Sequence, residues 1–182
     1  MSLIIKIPPE AFVIQHLFED SKFFLEAAQE SVGRDEKKTR RNIRASIISA
    51  FAALEALVNT SLYLLDEFQE LDTAEKAFVQ EKRIELMKEG YLELTGSQYR
   101  SLDDKISFLH WRRERAAFPK SEAIWKHFKD ATELRNSLVH PRPGRISYSD
   151  LTVENANTCL VTAVKLSLML GGPRIKLDEN GL

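Results

Sequence analysis

Ile43, Ile47, Phe51, Leu54, Val58, Leu62 and Leu65 recur at intervals of three and four residues, and no glycine or proline interrupts the chain from Asp35 to Leu71. Apolar side chains so spaced lie along one side of an α-helix. A helix this long with a continuous apolar side has to be covered, and the remaining chain is expected to supply other helices for the purpose. Its first turns carry Lys37, Lys38, Arg40, Arg41 and Arg44 and are expected to be exposed, whereas its middle is nearly all apolar and is expected at the centre of a bundle.

Punctuation in the sequence marks the covering helices. Pro8-Pro9 suit a helix start, and Ala11 to Ser31 reads as a first helix ended by Gly33, with Phe12, Leu17 or Phe18, Phe24, Leu25 and Ala28 on its buried side. Thr73-Ala74-Glu75-Lys76 opens a helix expected to reach about Leu94, where Thr95-Gly96-Ser97 breaks the pattern. Ser101-Leu102-Asp103-Asp104 resembles an N-terminal cap for a shorter helix through Ile106, Leu109 and Trp111. After Phe118-Pro119 another helix begins at Ser121 or Glu122, anchored by Trp125 and Phe128. Pro141 ends it, because proline steers the residue before it away from helical backbone. Ser149-Asp150 or Thr152 caps a last helix running through Leu160, Val164 and Leu168 to Gly171-Gly172. Ile4 to Ile7 is the sole strand pattern, and there is no internal repeat. The prediction is an all-α fold, a bundle of five or six helices forming one domain over 1–182, with its core at about 10–171 and a tail over 172–182.

Charge and composition narrow the chemistry. The 26 basic residues against 27 acidic ones give a formal charge of −1, so no global field draws nucleic acid or a membrane surface, and anion binding has to come from local clusters. Arg112, Arg113 and Arg115 form one cluster beside that of the long helix, and Arg142 with Arg145 follow His140. The single cysteine, Cys159, permits no intrachain disulfide and reads as a small core residue in a reducing compartment. Met1 to Ile7 is shorter than a signal-peptide core, and Cys159 to Leu170 falls short of the roughly 20 apolar residues of a membrane span. The expected location is the cytoplasm, without a membrane partner. No metal-ligand spacing links His16, His110, His127 and His140, and neither a phosphate-binding glycine loop nor a nucleophile elbow occurs. No metal or cofactor is therefore expected.

Two charged residues sit where apolar ones belong. On a wheel of about 100° per residue starting at Ile124, Phe128, Ala131, Arg135, Leu138 and Val139 share one face with Arg135 near its centre. Glu55 falls between Phe51, Val58 and Leu62 on the long helix, with Asn59 one turn on. A buried guanidinium or carboxylate is costly unless partnered, so an ion pair between Glu55 and Arg135 is the economical expectation.

Five residues after that arginine comes His140, beside the helix end, in the run Arg135-Asn136-Ser137-Leu138-Val139-His140. Imidazole exchanges protons near neutral pH and a permanent guanidinium holds a phosphate, so together the two could cleave RNA without metal. His140 would then move the proton of a ribose 2′-hydroxyl or of the leaving oxygen, Arg135 would neutralise the pentacoordinate phosphate, and Asn136 would orient the histidine or bind phosphate. On these residues the chain resembles the HEPN domains, all-α bundles marked by an Arg-x(4–6)-His motif with a polar residue after the arginine. The late helix carrying Arg135, Asn136 and His140, and the long earlier helix with its embedded Glu55, are both similar to that family.

The resemblance, which spans about Phe12 to Leu170, implies an up-and-down helical core and a metal-independent ribonuclease. It further implies a homodimer with the two arginines and histidines in a shared cleft, in toxin-antitoxin, phage-defence or RNA-processing settings. RNA, a second copy, and an antitoxin or nucleotidyltransferase are the implied partners, with Arg142 and Arg145 steering RNA. The alternative is a non-catalytic helical module binding nucleotide, RNA or a partner protein, in which Arg135 serves only as the ion-pair partner of Glu55. Thr73 to Phe118 exceeds a minimal four-helix version and reads as an elaboration.

Overall fold

The computed structural model describes residues 9–141 and 148–172. Of the described residues 71% are helical, in keeping with an all-α helical bundle. Among the described residues the α-helices are α1 (Pro9–Ser31), α2 (Glu36–Phe68), α3 (Thr73–Val79), α4 (Leu102–Glu114), α5 (Ala123–Val139) and α6 (Val153–Met169). A hairpin of β1 (Lys82–Leu86) and β2 (Leu92–Ser97) separates α3 from α4, and a 3-10 turn at Tyr148–Asp150 precedes α6. The strand pattern at Ile4 to Ile7 and the tail from Pro173 onward lie outside the described residues. Packing divides the chain into two compact units, one made of the segments up to Leu57 and from Pro119, the other of Val58–Phe118.

In the first unit α1, the first part of α2, α5 and α6 close around one core. Ile43, Ile47, Phe51 and Leu54 of α2 are all buried, as the spacing predicts. Phe51 stacks on Phe128 of α5 with ring centroids 6.4 Å apart, and Trp125 leans on Phe128 at 5.2 Å. From α6, Leu160, Val164 and Leu166 complete the interior. Fully burying side chains of this size is worth roughly 1.5–3 kcal/mol each, which makes this packing the main source of stability.

The buried side of α1 differs from the expected one. Phe12 is 58% exposed, and the inward stripe is Ile14, Phe18, Ser21, Leu25 and Ala28. A serine in that stripe disguises its register in the sequence. Its hydroxyl is satisfied in the interior, donating to the Ser46 carbonyl of α2 at 2.9 Å. Phe23, Phe68 and Trp111 are likewise exposed.

α2 is the one helix among the described residues long and apolar enough to cross a membrane, yet 44% of its most apolar window is buried within the fold. Its inward stripe of Ile43, Ile47, Phe51, Leu54 and Val58 is buried. α6 ends in a Schellman motif, with Gly172 N–H donating to the Ser167 carbonyl at 2.8 Å and Gly171 N–H to that of Leu168 at 3.0 Å. Gly171 takes φ +83°, left-handed backbone that glycine adopts without strain.

In the second unit Asp72, not Thr73, caps α3 through a capping box with Glu75. Glu75 is buried and receives Arg112 of α4 at 2.9 Å, while Phe78 stacks on Phe108 at 4.4 Å. Ser101 caps α4 as the sequence indicates, with Asp104 closing the box.

The helix expected to continue to Leu94 stops at Val79, and the hairpin takes its place. Glu81, at φ +52°, leaves helical backbone, and Arg83-Ile84-Glu85-Leu86 pairs antiparallel with Leu92-Glu93-Leu94-Thr95. Both runs alternate polar with apolar residues, the period of a strand. Gly90, at φ +86°, supplies the turn between them.

Candidate functional site

Arg135 lies in the last turns of α5, and Glu55 projects from α2 within the same unit. The guanidinium donates from Nη2 to Glu55 Oε1 at 2.7 Å and from Nη1 to Asn136 Oδ1 at 3.1 Å. The two charges that the apolar stripes carry thus meet each other. Their surroundings are wetter than the wheel implies, since the side chains keep 23% and 36% of their surface exposed for Arg135 and Glu55 respectively. The buried face of α5 is centred on Trp125, Phe128 and Ala131, while Val139 is 42% exposed. Arg135 stands at the trailing edge of that face, where water reaches it, and not at its centre.

The position explains why the pair is tolerated. A fully buried ion pair must recover a desolvation cost of several kcal/mol per ion, whereas one at the edge of the core avoids most of it. Arginine has two N–H groups on each η nitrogen and one on Nε, so the two bonds made here leave donors on both η nitrogens for another acceptor.

His140 is the C-cap residue of α5, at φ −122° and ψ 67°, and its backbone N–H donates to the Asn136 carbonyl at 2.8 Å. The residue is exposed, and no side-chain hydrogen bond engages its ring among the described residues. Asn136 therefore contributes to both sides of the motif, its side chain to Arg135 and its carbonyl to the cap at His140. No hydrogen bond joins Arg135 to His140. Along a helix, five residues advance about 7.5 Å and turn by about 140°, so the two side chains leave α5 in different directions. Arg142 and Arg145 lie outside the described residues.

Of the other basic clusters, Lys37, Lys38, Arg41 and Arg44 are exposed on the first turns of α2, as expected, while the rest are occupied. Arg112 is committed to Glu75 and to the Glu70 carbonyl at 3.1 Å, Arg113 pairs with Glu114, and Arg115 lies over the Trp111 ring at 5.3 Å. On α2, Arg40 pairs with Glu36 one turn away. His110 is buried against Phe118, His16 and His127 are exposed, and no group of three or more metal-ligating side chains occurs among the described residues.

A feature the sequence does not announce is a cavity of about 450 Å³ beside α5, toward α6. His127, Asp130, Glu133 and Ser137 from α5 line it with Asp150 and Asn155. Among the described residues its walls carry three carboxylates and no arginine or lysine, a lining unsuited to phosphate. Its α5 residues lie three or four apart and read in sequence as an ordinary solvated face, so only the fold reveals that they border a hollow. Neither Arg135 nor His140 reaches this cavity. Cys159 touches its inner wall but is 2% exposed, and burial pushes its thiol up to about 12, leaving it protonated and unreactive at neutral pH. No protein-family model matches the chain, and no curated protein or solved structure matches it.

Proposed function

We propose that this chain is a metal-independent endoribonuclease of the HEPN type, acting in the cytoplasm as a homodimer with Arg135 and His140 at a shared cleft. The observation that carries the reading is the composite end of α5: an arginine anchored by Glu55 and Asn136 with donors to spare, and an exposed imidazole at the C-cap. In this mechanism His140 accepts the proton of a ribose 2′-hydroxyl, and the 2′-oxygen attacks the adjacent phosphorus. The 5′-oxygen then leaves with a proton from imidazolium, giving 2′,3′-cyclic phosphate and 5′-hydroxyl ends. Arg135 stabilises the charge on the phosphorane oxygens, Glu55 and Asn136 hold its guanidinium still, and Arg142 and Arg145 steer the RNA. The partner in the cell is an antitoxin or a nucleotidyltransferase.

One observation favours a second reading. Glu55 already compensates the guanidinium, as it would in a non-catalytic helical module that binds nucleotide, RNA or a partner protein. RNA cleavage in EDTA by the wild type and by the His140→Ala and Arg135→Ala variants separates the two. The ribonuclease reading expects both variants to lose cleavage while His140→Ala keeps the wild-type melting temperature. Cleavage by His140→Ala at the wild-type rate removes the assignment.

A further inference from the structure

The hairpin of the second unit has an apolar face that is largely exposed, with only Leu94 half-buried. Ile84 and Leu86 of β1 share that face with Leu94 and Leu92, directly opposite in register, and Leu86 is 72%, Leu92 56% and Ile84 40% exposed. An isolated two-stranded sheet is marginal in water, and its free edges invite another strand. We infer that the outer edge of β1 pairs antiparallel with β1 of a second copy of this chain, about a twofold axis at Ile84, to make a four-stranded sheet. This contact is separate from the α5 site and does not rest on the ribonuclease reading.

The register follows from the hairpin itself. Met87 N–H donates to the Tyr91 carbonyl at 2.9 Å, so the hydrogen-bonded pairs alternate from there through Glu85/Glu93 to Arg83/Thr95. The N–H and C=O of Ile84 and Leu86 consequently point to the outer edge. Residues Arg83 to Leu86 are all exposed, so among the described residues no other element covers that edge.

A twofold pairing that keeps both apolar faces on one side of the sheet sets some residue of β1 opposite itself. With Arg83 or Glu85 on the axis, like charges face each other, which is destabilising. Leu86 on the axis sets Glu85 against Met87. With Ile84 on the axis, each Arg83 faces the partner's Glu85 in a non-hydrogen-bonded pair, the type that brings side chains closest, and Ile84 meets Ile84. Within one chain neither the Arg83 nor the Glu85 side chain has a hydrogen-bond or ion-pair partner among the described residues, so both charges are available. The outer edge of β2 offers only Glu93 as a charge and has no such self-complement.

Cysteine crosslinking in the full chain reads the register directly. Ile84→Cys places two thiols across the axis with Cα atoms about 5.5 Å apart, inside the disulfide range of roughly 4.4–6.8 Å. Leu86→Cys separates them by about 13 Å along the strands. Mild oxidation is expected to link the folded I84C chain into a dimer at least tenfold faster than L86C or E93C, and Arg135→Ala added to I84C is expected to leave the rate unchanged. Added to I84C, Arg83→Glu is expected to slow crosslinking at least about tenfold, and Arg83→Glu with Glu85→Arg to restore it, a readout confined to the β1 contact. Comparable crosslinking at all three positions, none at Ile84, or failure of the double swap to restore crosslinking overturns the inference, and the melting temperature of I84C confirms that the folded chain was tested.

Discussion

Arg135 and Glu55 were legible as a pair because each is a charge placed on an otherwise apolar helical stripe, and interiors accept such charges only in combination. Their degree of burial was not legible. The wheel centred the face on Arg135, whereas packing against α2 is set by Phe128, with Trp125 against it, two to three turns earlier. At 23% and 36% exposure the ion pair contributes modestly, so Arg135→Ala or Glu55→Gln is expected to cost about 1 kcal/mol in urea denaturation. The double variant should cost less than the sum of the two, because both remove the same contact. His140→Ala, on an exposed cap residue, should stay within about 0.5 kcal/mol of wild type. A cost for His140→Ala equal to that of Arg135→Ala would give the imidazole a structural role that its exposure does not suggest. Cys159 supplies a pH prediction. With the folded thiol raised to about 12, the folded state retains a proton that the unfolded chain releases from about 9 upward, so this residue's contribution to stability falls as pH rises across that window. At pH 8 a thiol reagent should modify Cys159 only after unfolding; rapid modification of the folded protein would contradict its burial.

At the scale of the element, α2 was the clearest part of the sequence, since seven apolar residues in phase over some six turns leave little room for another structure. Its buried heart predicts a large effect: Phe51→Ala removes a ring stacked on Phe128 and should destabilise by about 3–5 kcal/mol. A loss below about 1 kcal/mol, measured by thermal or urea unfolding, would mean that the stack is not part of the core. The hairpin was the least legible element. Glu, Lys, Leu and Met between Lys82 and Leu94 are good helix formers, and a four-residue alternation is a weak counter-signal to them. What decides the local structure is Gly90 in a left-handed turn and the early end of α3 at Glu81, both of which act through backbone conformation. In α1 the same difficulty took another form, because the inward-facing Ser21 could be recognised only once Ser46 was known to accept its hydrogen bond.

For the whole molecule, the all-α class was readable from periodicity alone; the segment set off at Thr73 to Phe118 ends where the second unit does, but the start of that unit inside α2 was not legible. α2 runs unbroken through the boundary at Leu57 and Val58, so no linker composition marks it. The cavity beside α5 was hidden for a related reason, as its acidic lining reads as surface until α6 is placed next to it. The central claim at this scale is that the end of α5 cleaves RNA. Its most direct test is end-group analysis of single-stranded RNA incubated in excess EDTA with the purified full chain and, in parallel, with His140→Ala. Fragments ending in 2′,3′-cyclic phosphate are expected from the wild type and intact RNA from the variant; intact RNA in both reactions, or the same fragments in both, would rule out cleavage by this site.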